Sequence, residues 1–219
     1  MTAVGFVREG ARFADIGTDH GYLPIYLCKK EIVESAVAAD INEGPLESAK
    51  RNIKENGVID KVTTVLSDGL LGLYEYAPTD IAIFGMGGEL VCRIIDDAPW
   101  VRNEKIRLIL QPMTKQGETR EYLIKNGFLI VDEALSLDDG KIYQTICAEY
   151  RGKIDNYDEI ELMLGKINIE RGGPLLCDLL ERKIEVYSER LDGLKKAGLG
   201  EKEEKLLSRL KDLLKEKEI

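Results

Sequence analysis

Asp15, Asp40 and the glycine turn between them are the residues whose types and spacing could do chemistry. The run Ala14-Asp15-Ile16-Gly17-Thr18-Asp19-His20-Gly21 joins an apolar segment to a helical one, and a second apolar segment, Ala36 to Ala39, ends on Asp40. A strand, a glycine turn, a helix, a second strand and an acid, in that order, build a nucleotide-type pocket at the carboxyl end of a parallel sheet. Gly17 and Gly21 let the backbone turn sharply and approach a ligand. Asp40 lies about twenty residues beyond the turn, where an acid can accept both hydroxyls of a ribose. The spacing is not G-x-G-x-x-G, which counts against a dinucleotide. S-adenosylmethionine fits better, because it has a ribose but no pyrophosphate, and Asp15 suits its ammonium group. Thr18, Ile41 and Asn42 flank these positions and share the cofactor assignment. The bland alternative is a plain βαβ unit with a glycine turn; three further sites weigh against it.

Those three sites fall after later strands. Ser67-Asp68-Gly69 follows the third, where an acid can accept the adenine amino group of a cofactor; turn chemistry accounts for the same residues equally well. Gly85-Met86-Gly87-Gly88 follows the fourth. Its glycines expose backbone N–H groups, Gly85 towards the cofactor, while Met86, Gly87 and Gly88 leave room for a substrate base. The alternative is tight packing of a strand on the next helix. Gln111-Pro112 follows the fifth, with Gln111 able to bond a base edge or simply to end the strand.

The elements that must position these residues alternate strand and helix. Apolar patterning predicts strands at Arg12–Ile16, Ala36–Asp40, Val62–Leu66, Ile81–Phe84 and Ile106–Leu110. Helices are expected over Gly21–Lys30, Pro45–Asn56 with Pro45 in the first turn, Glu89–Asp97 and Gly117–Asn126. Phe128–Ala134 and Ile142–Glu149, around Asp138-Asp139-Gly140, predict an antiparallel hairpin at one edge. Residues 1–152 thus read as an α/β domain with a mostly parallel, Rossmann-like sheet. Residues 153–219 read as a C-terminal helical, coiled-coil domain. Leu176, Leu180, Ile184, Tyr187, Leu191 and Leu194 keep a helical period, which Leu199, Leu206, Leu210 and Leu213 continue past the break at Gly198 to Gly200.

Composition narrows the function classes. A 44% hydrophobic, 32% charged chain is ordinary for a soluble protein. No apolar run approaches a membrane span and no signal peptide is visible. Cys28, Cys92, Cys147 and Cys177 are scattered, with no C-x-x-C pair, so buried free thiols in a reducing cytoplasm are expected and a metal is not. A single histidine, His20, rules out a multi-histidine metal site. The net charge is −9, with 16 Lys and Arg against 24 Asp and Glu in residues 1–150 and 15 against 16 in residues 151–219. Any nucleic-acid contact must therefore rest on a local patch. The oligomeric state is not fixed by the sequence; a monomer is the working expectation.

In order, ADIGTDHGYLP, the acid in AADINEGPLESAKRN, SDGL, DIAIFGMGGEL, LILQPMTKQGETREYL and GKIYQTICAE resemble the bacterial tRNA (adenine(22)-N1)-methyltransferase family. The resemblance covers about residues 4–150 and extends into the helical domain; the DIG-x-DH-x-YLP turn and GMGG together are specific. It implies a class I S-adenosylmethionine-dependent fold and methyl transfer to N1 of one tRNA adenine. S-adenosylhomocysteine would be the product, and the coiled-coil domain would aid tRNA binding. Family members carry more residues before the first strand, so a leading helix is expected to be missing. The competing readings are a methyltransferase for another substrate and a non-catalytic protein with a retained nucleotide pocket.

Attack of adenine N1 on a sulfonium methyl releases no proton from N1 but leaves a cationic ring. A carboxylate beside that charge would stabilise it. Asp19, on the glycine turn, is the first catalytic candidate and His20 the second. Alternatively, Asp19 caps the following helix and His20 only fixes the loop. Lys183, Arg190, Lys195 and Lys196 are the arm cations expected to meet tRNA phosphates.

Overall fold

In a computed structural model describing residues 2–195 and 199–217, seven strands form one sheet in the order β3-β2-β1-β4-β5-β7-β6. The strands are β1 (Ala11–Ile16), β2 (Val33–Asp40), β3 (Val62–Leu66), β4 (Asp80–Phe84), β5 (Arg107–Gln111), β6 (Phe128–Asp138) and β7 (Lys141–Tyr150). The first five are parallel, and β7 runs antiparallel to β5. Strands covered on both faces need continuous apolar runs. Ala36 to Ala39, Ile81 to Ile83 and Leu108 to Leu110 supply them and are buried.

Helices α1 (Tyr22–Lys29), α2 (Glu43–Glu55), α3 (Gly88–Asp96) and α4 (Gln116–Lys125) connect the strands. Alpha2 buries Leu46, Ala49 and Ile53, an i, i+3, i+7 stripe. It starts two residues earlier than predicted, at Glu43, and Pro45 sits in its first turn as expected. Gly57, at φ +70°, ends it. Strand β2 begins three residues before the predicted start, because Val33 also enters the sheet opposite Ala11.

By its contacts the chain divides into two units, Met1–Ala134 with Gln144–Asn156, and Leu135–Tyr143 with Tyr157–Ile219. A division at 152/153 would leave the hairpin tip with the sheet. In the structure Leu135 and Ile142 of that tip pack instead on the helical core. The second unit contains α5 (Glu159–Leu164), α6 (Lys166–Arg171), α7 (Pro174–Lys195) and α8 (Glu201–Lys217). Asp158 caps α5: its Oδ1 accepts from Ile160 N (2.8 Å) and Glu161 N (3.0 Å), and Glu161 Oε2 accepts from Asp158 N (2.8 Å). Leu176, Leu180, Leu206 and Leu210 are buried, as the helical period requires, whereas Leu199 lies outside the helices and is exposed.

All four cysteines are free, but only Cys28 and Cys147 are buried; Cys92 and Cys177 are half-exposed. Burial pushes Cys147 up to about 12 and Cys92 up to about 11, so neither is a thiolate at neutral pH. Among the described residues, no helix is long and apolar enough to cross a membrane.

Candidate functional site

The strand register brings the chemical residues together. Ile16 stands opposite Ala39 on one side and Ile83 on the other, Asp40 opposite Leu66, and Phe84 opposite Gln111. The carboxyl ends of β1 to β5 are therefore level. The turns after them, which carry Gly17, Ile41, Ser67, Gly85 and Pro112, line one edge of the sheet. The strand order reverses between β1 and β4, where α/β sheets open a crevice for ligands.

The turn after β1 is fastened to β2. Gly17 N and Thr18 N both donate to Ala39 O, at 2.8 and 2.9 Å. Gly17 has φ +77°, and a Cβ there would meet Met86 Cε at 2.3 Å, so Met86 from the turn after β4 reaches across to the glycine turn. Asp15 is 9% exposed. Desolvation pushes its carboxyl up to about 6, helped by the charge of Asp40; the Thr18 hydroxyl draws it part of the way back. The Thr18 hydroxyl is itself buried without a hydrogen bond of ordinary geometry. A buried carboxyl whose charge is penalised by desolvation is a place where a cationic ligand group gains by pairing.

Asp40 accepts from Asn42 N through Oδ1 at 2.8 Å, which fixes the carboxylate plane at the strand end. Ile41 beside it is exposed. Ser67 N donates to Asp40 O (2.9 Å), and Ser67 Oγ donates to Leu71 O (2.7 Å), folding the loop that holds Asp68 and Gly69. Asp68 lies 4.0 Å from Arg93, a neighbour without a sequence signal. The turns after β4 and β5 are joined: Met113 N donates to Met86 O and Gly88 N to Thr114 O. At Gly88 a Cβ would lie 2.5 Å from Thr119 Oγ1 and 2.7 Å from Thr114 O, so tight packing accounts for that glycine. No such crowding surrounds Gly85, whose φ is +73°. Gln111 Nε2 donates to Thr145 Oγ1 (3.2 Å), and Pro112 O accepts from Gln116 (3.0 Å).

Asp19 does not cap α1. The N-cap is Gly21, at φ +69°, with no side-chain cap. Asp19 is instead 80% exposed, its Oδ2 3.2 Å from His20 Nε2, and the His20 ring lies 5.2 Å from that of Tyr22. Of the arm cations, Lys183, Arg190 and Lys195 lie on α7, in the second unit. Arg190 pairs with Glu203 (3.2 Å) and Lys195 with Glu204 (2.8 Å), both on α8. Lys183 is already engaged in interactions of its own. Lys196 lies outside the described residues.

A mostly parallel sheet of this order, with acids at the ends of β1, β2 and β3 and a glycine turn after β1, defines a nucleotide-ligand methyltransferase fold. A family model described as a methyltransferase domain matches residues 1–146. The tRNA (adenine(22)-N(1))-methyltransferase of Bacillus subtilis is 35% identical over 167 residues, 76% of this chain and 70% of that one. The crystal structure of the B. subtilis m1A22 tRNA methyltransferase TrmK superposes with a TM-score of 0.82 at 28% identity, covering 98% of this chain and 95% of that chain. A Streptococcus pneumoniae protein solved in complex with S-adenosyl-L-methionine gives 0.83 at 28% identity, covering 98% and 95%. The chain belongs to the methyltransferase-domain family and, within it, to the bacterial tRNA (adenine(22)-N1)-methyltransferase family.

Proposed function

We propose that this protein transfers a methyl group from S-adenosylmethionine to N1 of adenine 22 in tRNA. The observation that carries this reading is the match to the B. subtilis enzyme of that name over 98% of the chain, helical unit included. S-adenosylmethionine supplies an electrophilic methyl on a sulfonium centre, and S-adenosylhomocysteine is left. The residues at the sheet edge fit that ligand. Asp40, its plane fixed by Asn42, accepts the ribose hydroxyls. Asp15, buried beside the Thr18 hydroxyl, accepts the ammonium group. Ser67, Asp68 and Gly69 take the adenine side, while Gly17, Gly21, Ile41 and Gly85 leave the ligand room.

Met86, Gly87, Gln111 and Pro112 receive the substrate base, while Gly88, closed off by its packing on Thr114 and Thr119, does not. N1 lies on the Watson–Crick edge, so the target adenine must leave its pairing or stack to be reached. No proton has to leave N1, which makes positioning the main demand. The ring becomes cationic, and the exposed Asp19 carboxylate, oriented by His20, stabilises that charge. Lys183, Arg190, Lys195 and Lys196 hold tRNA phosphates, with Arg190 and Lys195 exchanging their glutamate partners for them. The cytoplasm is the compartment such a tRNA substrate implies.

Tritium transfer from labelled S-adenosylmethionine to unmodified tRNA, followed by nucleoside analysis, tests the reading. Label is expected in 1-methyladenosine and should vanish when adenine 22 is replaced by guanine. Label at another nucleoside, or none with tRNA but transfer to protein, overturns it.

A further inference from the structure

Asn52 lies within α2, and nothing in the function above uses it. Its Nδ2 donates to the carbonyl oxygen of His20 at 2.9 Å, a hydrogen bond between residues 32 apart in sequence. That carbonyl has a particular need. The first acceptor of α1 is Gly21 O, which receives Ile25 N at 3.0 Å, so the His20 carbonyl lies one residue outside the helix ladder. A helix interior is also a poor place for asparagine unless its side chain is engaged. Packing agrees with the bond: a Cβ on Gly21 would come 3.2 Å from Ala49 Cβ, which sets α2 directly against the turn.

We infer that Asn52 is a positioning residue for methyl transfer, holding the Asp19–His20 segment through the His20 carbonyl. A peptide plane fixed at residue 20 fixes the direction in which the His20 and Asp19 side chains leave the backbone. Those side chains meet at 3.2 Å, and the His20 ring keeps its 5.2 Å spacing from Tyr22. Losing the bond frees the segment to turn while the ribose and ammonium contacts at Asp40 and Asp15 stay in place. The inference rests on the proposed reaction for its kinetic consequence, but not for its structural one.

The test joins NMR to kinetics on the full chain. His20 is the only histidine, so its imidazole Cε1–H gives one resonance that needs no assignment. In Asn52→Ala that resonance should shift and broaden, as the ring leaves the shielding of Tyr22. Single-turnover methylation per folded molecule should fall by roughly tenfold or more, with KM for S-adenosylmethionine within about threefold. Asn52→Asp keeps the shape, removes the donor and should behave like Asn52→Ala, which covers the case in which the alanine variant does not fold. Asn52→Ala should cost nothing further in an Asp19→Ala/His20→Ala background. An unmoved His20 resonance in a folded variant, or losses that multiply in the combined variant, overturns the inference. A shifted resonance in a protein that methylates no tRNA leaves the bracket standing and overturns the reaction instead.

Discussion

At the scale of single residues, three carboxylates at one sheet edge sit in three environments. Asp40 is fixed by a backbone amide, Asp15 is buried, and Asp19 is exposed. Asp40→Ala should weaken S-adenosylmethionine binding at least tenfold with the fold intact, since each hydrogen bond to a charged acceptor is worth about 1.5–3 kcal/mol; calorimetry measures it. Asp15 has a folded pKa of about 6 against an ordinary 3.8. The folded state therefore holds that proton more tightly than the unfolded one. The stability this lends is present below about pH 4 and is lost as pH rises through 6. A cationic ligand group reverses the preference, so S-adenosylmethionine affinity should rise with pH through about 6. Asp15→Asn should flatten both profiles, which denaturation and calorimetry from pH 4.5 to 8 would show. Asp19 is not a helix cap, so Asp19→Asn should leave the melting temperature unchanged. Its single-turnover rate on saturating tRNA should fall towards the low end of the roughly 10²–10⁴-fold range of a positioned acid–base group. Full activity would leave positioning alone as the mechanism.

The elements show why a buried charge matters away from the ligand edge. Arg120 on α4 donates to Glu133 on β6 (2.7 Å) and to Gln144 on β7 (2.8 Å), and both charged side chains are fully buried. The pair ties the last helix of the sheet unit to the edge strands, one residue from Thr145, which accepts from Gln111. Removing Glu133 takes the opposite charge of this buried pair away from Arg120, a loss of about 3–5 kcal/mol. Glu133→Ala should therefore lower stability by that order in urea denaturation. A double Arg120→Met/Glu133→Leu variant should recover much of it, because two apolar groups leave no charge unpaired. If the single variant costs under 1 kcal/mol, the buried pair is not what holds α4 to the edge.

At the scale of the whole molecule, residues 151–219 carry nearly balanced charge, and Arg190 and Lys195 of α7 are paired within the second unit. On the proposed reading, a tRNA phosphate would compete with Glu203 for Arg190 and with Glu204 for Lys195. The exposed Lys195–Glu204 pair contributes about 0–1 kcal/mol, and Arg190 is itself exposed beside a half-buried Glu203, so the exchange is feasible. Arg190→Ala/Lys195→Ala should weaken tRNA binding across all tRNAs and reduce the slope of log K against log salt by about two. Glu203→Gln/Glu204→Gln should do the opposite and strengthen binding. Filter binding over a salt series checks both; unchanged slopes would move the tRNA contact off α7.

Much of this was legible in the residues because local rules decided it. Short apolar segments alternating with helical ones marked five strands, so β1 to β5 and their carboxyl-end turns could be placed to within three residues of their bounds. The acid at the end of the second strand and the glycine turn after the first followed from that order, and the DIG-x-DH-x-YLP and GMGG motifs carried the family resemblance that the comparisons bear out. Three features waited for the tertiary structure, each for a physical reason. Asp19 could not be told from a helix cap by spacing, because the choice rests on Gly21 taking the left-handed conformation. The hairpin tip could not be assigned to the helical unit, because Leu135 and Ile142 read as strand residues whichever core they enter. Asn52 gave only the weak signal of an asparagine within a helix, since its partner, the His20 carbonyl, is 32 residues away and only folding brings the two together.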